Sequence, residues 1–224
     1  ANALMLAVLF AAGFTPNRLF LFSIGVGIAN GLGAYCQWRA VDLSLARTSL
    51  FSWGSAFVAI VLGYAFLGER AALHPMLALG LALTFLSAML IAVREHRMRK
   101  GSRAESGGWG IYAWIAAYTV IWGGTGFLER VFAVEGVRTA TFLGGWYLGS
   151  FLVSVILAAG AWRRRKLVFS SFGTRDIALS AALALVFVGN LGLEYWTYHY
   201  LPLAVAQPIF LFLGTVIPVF IGLF

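Results

Sequence analysis

The chain has 224 residues, of which 61% are hydrophobic and 11% are charged, whereas ordinary soluble domains carry roughly 45–50% apolar and about 25% charged residues. This composition excludes a water-soluble globule, because too few polar side chains remain to cover one. The formal net charge of +8 comes from short basic stretches between apolar runs, a pattern that argues against nucleic-acid binding. The single cysteine, Cys36, excludes an intrachain disulfide framework.

Long apolar runs predict an all-α integral membrane protein. Each run is nearly free of charge over about 17–25 residues, the length at which a helix crosses the hydrocarbon core of a bilayer. The runs are continuous and do not alternate, so helices are predicted and a β-barrel is not. An eighth run, 3–14, is too short to span, and the last run has no polar flank, so we expect the sequence to be a fragment. In chain order the spanning runs are 19–38, 48–67, 75–93, 106–128, 139–162, 177–193 and 203–224.

Two pairs of glycines have a spacing that favours close helix packing. Gly27 with Gly31, and Gly145 with Gly149, each form a small-xxx-small pair on one helix face. These pairs predict that the helices carrying them approach a neighbour closely.

The basic residues predict the orientation in the membrane. If every run spans once, the stretches 39–47, 94–108 and 162–176 lie on the same side and hold most of the Lys and Arg. By the positive-inside rule this side is cytoplasmic, and we expect a multi-pass protein of the plasma (inner) membrane. The stretch 94–108 contains Gly and Ser and is also predicted to link two halves of the chain.

The two halves resemble each other in sequence. Residues 38–61 align with residues 196–219 at a constant offset with six identities. Five spans separate the matched helices, so the second copy is predicted to be inverted relative to the first. Inverted repeats are typical of secondary transporters, which bind solute near the midplane between the repeats. The predicted organisation is a first unit at 1–93, a basic linker at 94–108 and a second unit at 109–224.

Three segments carry a family resemblance. Residues 38–70, which end in "LGER", resemble the EamA domain of the drug/metabolite transporter (DMT) superfamily. Residues 121–130, "IWGGTGFLER", and residues 198–224 are similar to helices of a second EamA unit. The resemblance implies ten helices in two inverted five-helix repeats, about eight of them in this chain. It also implies a permease for small metabolites or drugs, expected to be an exporter, that alternates access around a cavity between the repeats.

One acid stands out near the end of the run 177–193. Helical spacing places Asn190, Glu194 and Tyr198 on one face, and a carboxylate within the hydrocarbon should face protein or water. In one interpretation this stripe lines the substrate path, and Glu194 binds a cationic or amine group or takes up the coupling proton. In the other, Glu194 lies at the membrane surface, bonds a tyrosine or His199, and anchors the helix end.

A second stripe follows from the spacing of Tyr118, Trp122, Thr125 and Glu129. These side chains could line the same cavity. Alternatively the aromatic residues pack within the bundle, and Glu129 with Arg130 forms a solvated helix end.

The remaining candidates also suit packing or interhelical hydrogen bonding. Glu69 and Arg70 are predicted to form a helix-end ion pair or, alternatively, a gate. The other cavity candidates are Asn30 and Gln37 on one helix face, Trp53, Trp146 and Tyr147 as an aromatic wall, and Gln207 beside Pro208, with Thr215 and Pro218, in a broken helix.

Other functional classes lack the residues they need. His74, His96 and His199 are far apart, and no HExxH or GxSxG motif occurs, so neither an enzyme nor a metal or haem protein is expected. A retinal receptor needs a lysine within a span, but Lys100 and Lys166 both lie in basic stretches. No P-loop is present, so a gradient is the expected driving force. The expected partners are a small solute, the bilayer and a second copy in a homodimer, and the alternative is a non-transporting scaffold or receptor.

Overall fold

The computed structural model describes residues 18–51, 53–69, 109–163 and 173–211, together with ten positions between 75 and 94. The regular structure of these residues is helical, and no strand occurs among them. The elements are α1 (Arg18–Leu43), α2 (Leu45–Leu50), α3 (Gly54–Phe66), α4 (Trp109–Val134), α5 (Thr139–Arg163) and α6 (Thr174–Thr197). Residues 203–211, here α7, are also helical.

Five helices of the described part are long and apolar enough to cross a membrane. They confirm the all-helical prediction and match five of the predicted runs. Several predicted segments lie outside the described residues. They are the run 3–14, the linker 94–108 apart from Arg94, most of the runs 75–93 and 203–224, and the centre of the stretch 162–176. The five spans are Arg18–Leu43, Arg47–Phe66, Gly110–Val134, Thr139–Arg163 and Thr174–Thr197.

The predicted run 48–67 is interrupted near its start. Ser44 begins α2 as its N-cap, and its hydroxyl accepts a hydrogen bond from the N–H of Arg47 at 3.4 Å. The helix ends after six residues at Phe51, and α3 then begins at Gly54. Hydrophobicity does not predict this break, because residues 48–67 carry no charge on either side of it.

A glycine turn connects α4 to α5. Gly136 has φ +71°, which favours glycine because a Cβ is strained in the left-handed region. Its N–H donates to the carbonyl of Ala133 at 3.1 Å, and the N–H of Val137 donates to the carbonyl of Phe132 at 3.0 Å. This pair of bonds is a Schellman motif, which satisfies carbonyls at the end of α4 and reverses the chain.

Clustering of contacts divides the chain into two compact units. The first contains residues 1–32 and 128–200, and the second contains residues 33–127 and 201–224. Two helices, α1 and α4, therefore contribute residues to both units.

In the first unit α1 and α5 are in direct backbone contact, as the glycine pairs predict. A Cβ added at Gly27 would overlap the carbonyl of Trp146, and one at Gly149 would overlap the carbonyl of Ile24. A Cβ at Gly31 would lie 2.9 Å from the Cβ of Val153. Side chains larger than hydrogen are excluded at these positions unless the helices move apart.

The second unit has its own packed core. Tyr118 on α4 is 1% exposed and packs with Cys36 and Ala40 of α1. Its hydroxyl donates to the carbonyl of Thr48 at 3.1 Å, so the polar end of the ring is satisfied. At the other end of α3, the Oε2 atom of Glu69 accepts the N–H of Leu203 at 2.9 Å.

Large apolar side chains face outward along the candidate spans. Phe22 is 68% exposed, Ile156 is 70% exposed and Phe187 is 64% exposed. Such exposure would be costly in water and is stabilised in lipid. The described helices therefore have the surface of a membrane protein.

Candidate functional site

A buried carboxylate lies in the last turns of α4. Glu129 is 4% exposed and is the only charged residue among the buried side chains of the described segments. Phe132 and Ala133, one turn further along, are also buried. The interpretation of Glu129 as a solvated helix end is therefore wrong, since this part of α4 is covered.

One oxygen of this carboxylate has no hydrogen-bond donor. The Oε2 atom of Glu129 is inaccessible to solvent, and no donor within the described segments reaches it. A buried acceptor without a partner destabilises a protein by about 1–3 kcal/mol, and more when it carries charge. Native structures rarely keep such a group, and those that do require a specific reason. A ligand that supplies a donor or a positive charge is one such reason.

A second carboxylate approaches from α6. Glu194 is half-buried, and its negative charge acts on Glu129. Its Oε1 atom accepts a hydrogen bond from the hydroxyl of Tyr198 at 2.8 Å, and Tyr198 is fully buried. The predicted i, i+4 pair of Glu194 and Tyr198 therefore forms, while Asn190, one turn earlier, is exposed.

The end of α6 is fixed by contacts with the turn between α4 and α5. The hydroxyl of Tyr195 donates to the carbonyl of Val137 at 2.9 Å. Its ring stacks on Phe142 with centroids 4.3 Å apart and an interplanar angle of 7°. Arg130, next to Glu129 on α4, donates to the carbonyl of Tyr198. These bonds hold Glu194 at a defined position relative to α4.

The anchoring interpretation names a tyrosine or His199 as the partner of Glu194, and the partner found is a tyrosine, Tyr198. His199 has a different contact. Its Nδ1 atom lies 3.0 Å from the carbonyl of Tyr195, and its ring meets that of Tyr195 edge-on with centroids 5.0 Å apart. The hydrogen bond to Glu194 comes instead from Tyr198.

Buried tyrosines belong to the same compact unit as the two acids. Tyr147 of α5 is 7% exposed, Tyr195 of α6 is fully buried, and Tyr198 binds Glu194 directly. Of the predicted aromatic wall, Trp146 packs against Phe142 with ring centroids 5.6 Å apart. We refer to Glu129, Glu194, Tyr147, Tyr195 and Tyr198 as the acid–tyrosine cluster.

One of these residues was missed by sequence reasoning, and another was left with two alternatives. Tyr195 was missed because it does not share the helix face of Glu194 and Tyr198. Only the structure identifies Tyr195, through its hydrogen bond to the carbonyl of Val137 and the stacking of its ring on Phe142. For Glu129 the sequence leaves two alternatives open, because a Glu–Arg pair at a helix end usually faces solvent.

Asn30, also in the first unit, is part of the contact between α1 and α5. Its Nδ2 atom donates to the hydroxyl of Ser150 at 3.3 Å, and Ser150 donates to the carbonyl of Gly27 at 3.0 Å. The interhelical hydrogen bonding that the sequence leaves as one alternative for Asn30 is therefore present.

The other cavity candidates belong to the second unit. Trp122 meets the Tyr118 ring edge-on with centroids 5.9 Å apart, and the hydroxyl of Thr125 donates to the carbonyl of Trp122 at 3.0 Å. Gln37, Trp53 and Gln207 are half-buried. The residues Thr215 and Pro218 lie outside the described segments.

Glu69 has a backbone partner in the second unit. Its carboxylate accepts the N–H of Leu203 and so caps the beginning of α7. Gly63 makes room for this contact, because a Cβ there would lie 3.1 Å from Oε2 of Glu69 and 2.9 Å from Cδ1 of Leu203. Arg70, its predicted ion-pair partner, lies outside the described residues.

Within the described segments, no group of three or more His, Cys, Asp or Glu side chains could hold a metal ion. No family model, curated protein or solved structure matches this chain. The acid–tyrosine cluster is therefore interpreted from its own chemistry.

Proposed function

We propose that this protein is a secondary-active transporter of small metabolites or drugs, most simply an exporter, and that Glu129 and Glu194 bind its solute or coupling ion. The observation that supports this proposal is the burial of Glu129, with one oxygen lacking a donor, in a helix long enough to cross a membrane. Ionisable residues inside spans are expensive to keep and typically mark ion or substrate pathways. Glu194, the predicted coupling residue, lies at the end of α6, which Arg130 binds through the carbonyl of Tyr198.

The proposed architecture is that of an EamA-like permease. In this proposal, residues 1–93 and 109–224 are inverted repeats joined by the linker 94–108, and transport follows an alternating-access cycle. The protein lies in the plasma (inner) membrane with the basic stretches 94–108 and 162–176 in the cytoplasm. An ion or solute gradient drives the cycle, in keeping with the absence of a P-loop from the sequence.

The test is solute flux in proteoliposomes that contain the purified full-length chain. We expect saturable uptake or counterflow of at least one solute from a metabolite and drug panel. Glu129→Gln and Glu194→Gln should each abolish it without preventing insertion. The matched control is Glu135→Gln, which alters an exposed acid just beyond the end of α4.

Two results would count against the proposal. Absence of saturable flux with correctly folded protein would favour a scaffold or receptor. If Glu194→Gln left flux unchanged and lowered thermal stability, Glu194 would only anchor the end of α6.

A further inference from the structure

We propose that the acid–tyrosine cluster binds the ammonium group of an organic monocation, with Glu129 as the main charge ligand and Glu194 as the second. This inference rests on the proposed function, because it names the substrate class of the same site. It is carried by the buried Oε2 atom of Glu129, which no donor in the described part of the chain reaches, and by the bonds through Arg130 and Tyr198 that bring the end of α6, with Glu194, to the end of α4.

The charges of the site call for a cation. Glu129 comes from α4 and Glu194 from α6, and Arg130, next to Glu129, donates to the carbonyl of Tyr198, whose hydroxyl donates to Glu194. Two like charges in apolar surroundings repel strongly, and a positive charge placed between them relieves this repulsion. The nearest arginine in sequence, Arg130, uses its guanidinium to bind the carbonyl of Tyr198.

Glu129 lacks a hydrogen-bond donor among the described residues at one of its carboxylate oxygens. The Oε2 atom of Glu129 is buried and is reached by no donor in the described part of the chain. A primary ammonium group carries three N–H donors and no acceptor. A bond from one of them to Oε2 would be charge-assisted, and such bonds are shorter and stronger than neutral ones.

The surroundings favour an organic cation over a metal ion. Calcium takes six to eight oxygen ligands, and magnesium requires near-octahedral coordination. The described residues assemble no group of three metal-binding side chains. Aromatic rings, in contrast, attract ammonium groups through their π faces, and Tyr147 is buried in the same compact unit as Glu129.

The two acids have different roles. Glu194 already accepts the hydroxyl of Tyr198, and Arg130 holds the carbonyl of that same tyrosine. Glu194 is therefore prepositioned with one oxygen engaged, whereas Oε2 of Glu129 is left for the ligand. Tyr198 acts as a positioning residue, so its loss should weaken binding less than the loss of Glu129.

The test is equilibrium binding to the purified full-length chain in detergent, by calorimetry and thermal stabilisation. The probes are 2-phenylethylammonium chloride and its uncharged isostere 2-phenylethanol. We expect the ammonium to bind at least about tenfold more tightly than the alcohol, the effect expected of one charge-assisted bond. Glu129→Gln should remove this preference, Tyr198→Phe should reduce it a few-fold, and Glu135→Gln should leave it unchanged.

Three outcomes would overturn the inference: equal binding of the two probes, a preference that persists in Glu129→Gln, or displacement of the ammonium by stoichiometric calcium or magnesium chloride. The comparison of probes on the wild-type chain needs no variant, so it remains decisive if Glu129→Gln fails to fold.

The same measurements separate this inference from the proposed function. Saturable flux of a neutral or anionic solute that 2-phenylethylammonium does not inhibit would reject the ammonium site and retain the transporter. Glu129-dependent ammonium binding without flux of any solute would retain the site and reject transport.

Discussion

A Glu–Arg pair occurs at two helix ends, and the glutamate has different surroundings at each. Glu69 follows α3 and Glu129 lies near the end of α4, and an arginine comes next in the sequence at both places. Glu69 is half-buried and caps a backbone N–H at 2.9 Å. Glu129 is 4% exposed, and its Oε2 has no donor among the described residues. The role of such a pair is thus decided by what packs against the helix end, and the motif alone does not specify it.

The largest expected difference between Glu129 and Glu69 is in their effect on solute flux. Glu129→Gln should lower saturable flux at least tenfold, roughly the worth of one charge-assisted hydrogen bond. It should not lower the melting temperature, because glutamine removes a buried charge that lacks a donor. Flux in proteoliposomes and thermal unfolding in detergent, measured on one preparation, check both parts. A fall in stability with unchanged flux would make Glu129 a structural residue like Glu69.

The second largest effect is expected at Glu69, where a substitution should lower stability and leave flux unchanged. Glu69→Ala removes the cap of α7 and should lower stability by about 0.5–2 kcal/mol, as lost caps do. Flux per folded molecule should stay near that of the wild type, since this acid already accepts a backbone N–H, that of Leu203. Denaturant or thermal unfolding measures the first quantity, and reconstitution measures the second. Loss of flux without loss of stability would assign Glu69 to the gate instead.

The smallest effect is expected at Tyr198. Tyr198→Phe keeps the buried ring and removes the hydroxyl that donates to Glu194, so stability should fall by about 1 kcal/mol. The affinity for 2-phenylethylammonium should fall only a few-fold, because Glu129 keeps its charge. Calorimetry on the variant and on Tyr200→Phe, which alters an exposed tyrosine two residues away, separates this effect from the general loss of a phenol. An effect as large as that of Glu129→Gln would contradict the division of roles between the acids.

The sequence predicts the helices well, because hydrophobicity and length determine which segments suit a bilayer. It also predicts the contact of α1 with α5, since Gly27 and Gly149 have no side chain to keep backbones apart. The break between Leu50 and Gly54 was not predicted, because no charged residue marks it in the run 48–67. The inverted repeat, the orientation and the boundaries of the two halves stay predictions.

The candidate site was predicted in part. The pair of Glu194 and Tyr198 follows from helical periodicity, which is a local property. The burial of Glu129 depends on residues far away in the sequence, which fold over the end of α4. Tyr195 is placed by a hydroxyl bond to Val137, 58 residues earlier. Contacts of this range leave no periodic trace, so the sequence could offer Glu129 as a cavity residue but could not decide between that and a solvated helix end.

The glycine contact between α1 and α5 has a mechanical consequence. Since Gly27, Gly145 and Gly149 leave no space for even a methyl group, rotation of either helix about its own axis would drive side chains into the opposing backbone. The hydrogen bonds among Asn30, Ser150 and Gly27 oppose sliding along the same line. Any conformational cycle should therefore carry these two helices as a rigid lever, with bending confined to segments elsewhere.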